Sequence, residues 1–135
     1  FYTANLDSHC WTPEQRDLPR VVKTIQKAKE AFFDPRGITW IILLIPDKET
    51  VYRDYLPPRA YPCGEAPASC LDELEARLKE AGVPVVNLLP AYRQATREGR
   101  LLYWPDDTHW TGEGMEIAAA QLAEAIKPLL AAPVP

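Results

Sequence analysis

The sequence predicts an α/β layered fold built on a mainly parallel sheet. Two short β-branched runs with almost no charge, Ile38–Ile45 and Val83–Leu88, have the character of strands covered on both faces. Around them lie stretches whose apolar residues recur at helical spacing. Helix and strand alternate along the chain, and crossovers of this length favour parallel pairing of the first two strands.

Residues 1–11 show no period and read as loop or extended chain. Thr12-Pro13-Glu14-Gln15 reads as an N-cap, a proline at the first helical position and a capping-box glutamine, with Pro19 resetting the helix. Its apolar stripe runs through Leu18, Val21, Val22, Ile25, Ala28 and Phe32, and Asp34-Pro35-Arg36-Gly37 ends it. The first strand stops abruptly at Pro46-Asp47-Lys48, and a Pro- and Tyr-rich loop runs from Tyr52 to Ala68. Ser69 caps a second helix with Leu71, Leu74, Leu78 and Ala81 on one face, closed by Gly82. The second strand leads into a short helix from Pro90 to Glu98, which Gly99 stops. Leu101-Leu102-Tyr103-Trp104 forms a third extended segment, ended by Pro105-Asp106-Asp107. Thr111 then caps a last helix with Met115, Ala118, Ala119, Leu122, Ile126 and Leu129 along one side.

The 135 residues are the size of one domain, so residues 1–135 are expected to form a single unit. Fifteen basic against nineteen acidic residues give a net charge of −4, and no segment concentrates Lys and Arg. That argues against nucleic acid or an anionic membrane as partner. The longest apolar run, Ile38 to Pro46, falls short of the roughly 18 residues of a membrane span. The sole methionine is Met115, which fits a processed protein or a fragment. Cys63 and Cys70 bracket a short Pro/Gly-containing loop and are expected to pair in an oxidising compartment, leaving Cys10 over. Three buried thiols in a reducing compartment are the alternative. No zinc site is expected, because ligand spacings such as CxxC are missing.

Ligands of open α/β sheets bind beyond the carboxyl ends of the strands. Those ends carry Pro46-Asp47-Lys48, then Asn87, then Asp107-Thr108-His109-Trp110. An Asp two residues before a His can accept from imidazole Nδ1, fixing the tautomer and leaving Nε2 as a general base. Thr111 would pin that loop, and Gly112 and Gly114 would let the backbone pass close to other groups. Asp-x-His alone is a weak signal, since most loop histidines are merely solvated. Asp106 is an alternative partner for the histidine. Asn87 reads as a polar strand cap. Asp47 and Lys48 would bind a substrate carboxylate or hold the loop as a local ion pair.

Asp107-Thr108-His109-Trp110-Thr111-x-x-Gly114, followed by an alanine-rich helix, resembles a motif of AlgX/AlgJ-like polysaccharide O-acetylation proteins, members of the SGNH hydrolase superfamily. Ile45-Pro46-Asp47-Lys48-Glu49-Thr50-Val51-Tyr52, followed by Tyr55-Leu56-Pro57, resembles a second signature of the family. Phe1-Tyr2 is similar to the tail of its aromatic opening stretch. The resemblance covers essentially the whole chain. It implies a flavodoxin-like three-layer sandwich and acetyl transfer to or from an exported polysaccharide in the periplasm or cell envelope. It implies no cofactor, a serine nucleophile, and an acetyl donor delivered by a membrane acyltransferase partner. Asp107 becomes the orienting acid and His109 the base, with Trp110 and Thr111 holding the loop. Lys48, Tyr52 and Trp110 are the candidate substrate-binding side chains, and Tyr55, Tyr61 and Trp104 extend a possible sugar-stacking surface.

One departure is serious. The family's serine lies downstream of the D-x-H motif in a Gly-Thr-Ser-like turn, and no Gly-x-Ser occurs in this chain. Its two serines are Ser8, beside His9, and Ser69, at a helix cap. The chain is therefore expected to be an incomplete domain supplying the Asp–His half of a site. Two other readings compete: a catalytically silent polysaccharide-binding or scaffold domain, and a cysteine hydrolase using Cys10, Cys63 or Cys70 with His109.

Overall fold

The computed structural model describes residues 6, 10, 11, 15–57, 60–63 and 69–131. The expected features at residues 1 and 2, at Ser8, and over residues 12–14 lie outside the described residues. Helix α1 spans Leu18–Ala28 and continues through a π turn, Lys29–Phe33, into a 3-10 turn, Asp34–Arg36. Strand β1 is Ile42–Leu44, and helix α2, Lys48–Val51, follows it directly. Helix α3, Cys70–Glu80, leads through Gly82 into strand β2, Val85–Asn87. Helix α4, Leu89–Arg97, and helix α5, Gly112–Ala131, complete the order.

β1 and β2 pair in parallel, with Ile42 opposite Val85, Leu43 opposite Val86 and Leu44 opposite Asn87. Alternate strand residues point to opposite faces. Ile42, Leu44 and Val85 pack with Leu78 and Val83 against Val22 and Ile25 of α1 and Leu74 of α3. Leu43 and Val86 pack on the other side with Leu88, Leu89 and Tyr92 at and in α4 and Ala118 in α5. The pair is thus sandwiched between an α1/α3 layer and an α4/α5 layer, as uncharged strands require. Gly82, at φ 68, takes the left-handed turn that ends α3. Val83 N–H then donates to Leu78 C=O at 2.9 Å, turning the chain straight into β2.

Three expectations need correction. The first strand is three residues long rather than eight, because its only partner among the described residues is the short β2; Ile38 and Ile45 at its ends are 47% and 43% exposed. Among the described residues, Leu101–Trp104 joins no sheet and makes a single antiparallel bridge, Tyr103 to Trp110. The disulfide joins Cys10 to Cys63, with Cα atoms 5.8 Å apart, and leaves Cys70 a free thiol. Cys70 is the first residue of α3, held by the helix, while the chain before α1 brings Cys10 to Cys63. No described helix is long and apolar enough to cross a membrane.

Candidate active site

The Asp-x-His loop is a miniature hairpin standing on a buried aromatic floor. Its base closes where Trp104 N–H donates to His109 C=O at 3.1 Å and Thr111 N–H to Leu102 C=O at 2.9 Å. The Thr111 hydroxyl donates to Leu101 C=O at 2.6 Å and accepts from Gly114 N–H at 3.3 Å, so one side chain joins both arms to the start of α5. Gly114 passes so close that a Cβ there would lie 2.7 Å from Leu102 O, which explains the glycine.

Below lie Tyr52, Tyr92 and Tyr103, packed edge-to-face with ring centroids 6.2–6.4 Å apart for Tyr103 against its two neighbours. Each phenol is tied to backbone: Tyr92 donates to Gly114 C=O at 2.7 Å, Tyr103 donates to Pro46 C=O, and Tyr52 accepts from Leu102 N–H at 2.9 Å. Burial pushes the Tyr92 phenol up to about 12. Tyr103 is raised further, by burial first and by the neighbouring Tyr92 and Asp47 next.

At the loop tip, Asp107 Oδ1 lies 2.7 Å from His109 Nδ1 and also accepts from His109 N–H at 3.3 Å and from Thr108 N–H. The imidazole bond, then the Thr108 amide, holds the Asp107 carboxyl below its ordinary range. With that carboxylate ionised, the 2.7 Å contact places the imidazole proton on Nδ1. In the neutral imidazole, Nε2 then keeps its lone pair, on a side chain that is 81% exposed. Asp107, rather than Asp106, is the partner.

Lys48 is 7% exposed, and its ammonium donates to the carbonyls of Trp104 at 2.6 Å, Pro105 at 2.9 Å and Asp107 at 3.1 Å. Leaving β1 at the foot of the loop, it is turned inward beneath it. Tyr52 is half-buried in the floor, with its hydroxyl engaged by Leu102. Trp110 is half-buried against the same core as part of the hairpin base. Among the aromatic candidates, Trp104 and Tyr55 are the exposed ones, at 50% and 62%.

Asn87 is a strand cap: its amide donates to Asp72 and Glu75, and its carbonyl accepts from Leu89 N–H at 3.1 Å. Ser69 Oγ accepts from Leu71 N–H at 3.2 Å and is committed to the α3 cap. Arg93 escaped the sequence reading. On α4, it lines a cavity of about 110 Å³ together with Arg16, Arg53 and Asp47, and its guanidinium donates to Thr50 C=O at 3.4 Å. Residues this far apart in sequence carry no local signal of their convergence.

Comparison with known proteins follows the same lines. The family model described as "SGNH hydrolase-like domain, acetyltransferase AlgX" matches residues 2–133. The probable alginate O-acetylase AlgJ of Pseudomonas putida is 35% identical over 94 residues, covering 67% of this chain and 23% of that protein. The corresponding protein of Pseudomonas fluorescens is 33% identical over 96 residues, again covering 67% and 23%. Among solved structures, the O-acetyltransferase domain of Pseudomonas putida AlgJ superposes with a TM-score of 0.67 at 26% identity, over 87% of this chain and 41% of that one. The chain thus spans about a quarter of the curated relatives it matches.

Proposed function

The chain belongs to the SGNH hydrolase-like domain family of acetyltransferase AlgX, and from that premise we propose that it supplies the Asp–His pair of a serine-dependent polysaccharide O-acetyl transfer. The observation that carries this reading is the 2.7 Å Asp107–His109 contact, which orients an exposed Nε2 on a loop beyond the sheet's carboxyl end. In this reading His109 Nε2 takes the proton of a serine hydroxyl as its oxygen attacks the acetyl carbonyl carbon of the donor. The tetrahedral intermediate collapses, and the imidazolium returns the proton to the donor's leaving oxygen, giving acetyl-serine. A sugar hydroxyl, deprotonated by the same nitrogen, then attacks the acetyl carbon; the acetyl–serine C–O bond breaks and the imidazolium returns the proton to the serine oxygen, and water in place of the sugar gives hydrolysis.

The relatives' names point to alginate as the polysaccharide. A cell-envelope location is supported by the Cys10–Cys63 disulfide, which persists in oxidising compartments. There, a membrane acyltransferase would deliver the acetyl group. The serine is sought outside Ser69, which the α3 cap occupies.

The test uses the full-length protein, an acetyl-ester donor and alginate oligosaccharides. His109→Ala is expected to lower turnover about 100-fold or more, the usual weight of a general base. A fluorophosphonate should label one serine, and peptide mapping would locate it. Glycan binding without turnover or label would instead establish the silent binding domain.

A further inference from the structure

We propose that Lys48 is a positioning residue for the Asp107–His109 pair, acting through the backbone of the loop that carries it. The inference rests on the reading of that pair as the acid–base centre.

Residues 105–109 make few hydrogen bonds, and apart from those of Lys48 they stay within the hairpin. Asp107 N–H donates to Trp104 C=O at 3.3 Å, the Thr108 and His109 amides donate to the Asp107 carboxylate, and His109 C=O accepts from Trp104. Bonds of this kind shape a turn but do not fix it in space. Among the described residues, the only group outside the hairpin that hydrogen-bonds segment 105–109 is the Lys48 ammonium. It arrives from 57 and 59 residues away in sequence, and it also holds Trp104 C=O at the hinge of the turn.

An ammonium suits this task because it has three donors and no acceptor, and three carbonyls converge on it. Charge-assisted bonds are roughly twice as strong as neutral ones, and here they are sheltered, since Lys48 is 7% exposed. Pinning Asp107 C=O holds the peptide plane that follows Asp107 and so restricts where its carboxylate meets the imidazole. The pair needs such help. His109 is 81% and Asp107 49% exposed, and an exposed pair gains little from its own contact. The anchor is itself fixed. Asp47 caps α2 by accepting from Thr50 N–H at 2.7 Å, and Tyr103 bonds Pro46 C=O immediately before it.

Full-length Lys48→Met and Lys48→Arg proteins test the proposal by the ¹⁵N shifts of the His109 ring and by acetyl-ester turnover. In the native protein the two ring nitrogens should report one dominant tautomer, with the proton on Nδ1. In Lys48→Met the two shifts should move toward each other, and kcat should fall about 100-fold with KM little changed, as for a misplaced catalytic group. Lys48→Arg keeps the charge, but its planar fork cannot meet three converging carbonyls, so a smaller loss of about 10-fold is expected. Either variant, folded by near-UV circular dichroism and retaining the native tautomer signature and kcat, overturns the proposal. If Lys48→Met fails to fold, Lys48→Arg decides. If the native protein shows no turnover, the functional reading fails, and the ring shifts still decide the role of Lys48.

Discussion

The loop that carries Asp107 and His109 and the floor beneath it differ in every physical respect. At the tip, the two side chains proposed to carry the chemistry are 49% and 81% exposed and bond mainly to their own neighbours in sequence. In the floor, Leu88, Leu89, Tyr92, Leu102 and Tyr103 are at most 2% exposed, and their tyrosine hydroxyls tie together segments far apart in the chain. The comparison teaches that the proposed chemistry and the burial that stabilises the fold fall on different residues. The tip can be replaced at little cost to folding, whereas the floor holds both the fold and the place where the tip stands.

The largest effect that could break this division is expected at Tyr92. It has no exposed surface, contacts Tyr103 edge-to-face and donates to Gly114 C=O. Tyr92→Ala should cost about 3–5 kcal/mol, the range for truncating a buried aromatic. Denaturant unfolding followed by circular dichroism measures it, and a cost below about 1 kcal/mol would show that the floor is not where stability resides.

A smaller effect is expected at Gly114, where floor and loop meet. An added Cβ would meet Leu102 O at 2.7 Å, and because that atom is backbone, the start of α5 or the hairpin arm must shift. Overpacking of this kind costs about 1–3 kcal/mol, against up to about 1 kcal/mol gained from the helix propensity of alanine. Gly114→Ala should therefore be destabilising by about 1–2 kcal/mol in the same unfolding experiment. A stabilised variant would mean that the hairpin arm yields freely, and the floor would then not fix the loop.

How much was legible in the sequence follows the same division. Local signals survive: Ser69, Thr111 and the Asn87 carbonyl each bond an amide two or three residues on, and Gly82 supplies the left-handed turn that ends its helix. The proximity of Asp107 and His109 was legible for the same reason, at a separation of two. What joins distant segments was not. Lys48 reads in sequence as a strand-end residue that binds a substrate carboxylate or pairs locally with Asp47, because nothing near it announces three carbonyls from 56 to 59 residues downstream. The Cys10–Cys63 pairing was hidden likewise, since spacing alone favoured Cys70 and connectivity is decided by the fold. Leu101–Trp104 has the composition of a strand, yet its partner is the far arm of its own hairpin rather than the sheet.

The smallest effect concerns the tip itself, and its sign can be worked out. The imidazole and the Thr108 amide hold the folded-state Asp107 carboxyl below its ordinary range. A carboxyl whose proton affinity falls on folding stabilises the native state at pH values above its unfolded pKa. That contribution disappears as pH drops from about 4 through the depressed folded value, where both states become protonated. Asp107→Asn removes the titrating group, so any stability gap between native and variant should be present at pH 6 and should narrow as the pH is taken below about 4. Because the carboxylate is solvent-facing, the gap should be far smaller than that of Tyr92→Ala. Paired urea titrations at pH 6 and below about pH 4 measure it. A gap at pH 6 as large as that of Tyr92→Ala, or one that widens in acid, would show that the tip carries folding stability after all. The loop could then no longer be treated as a replaceable reactive surface on an independent support.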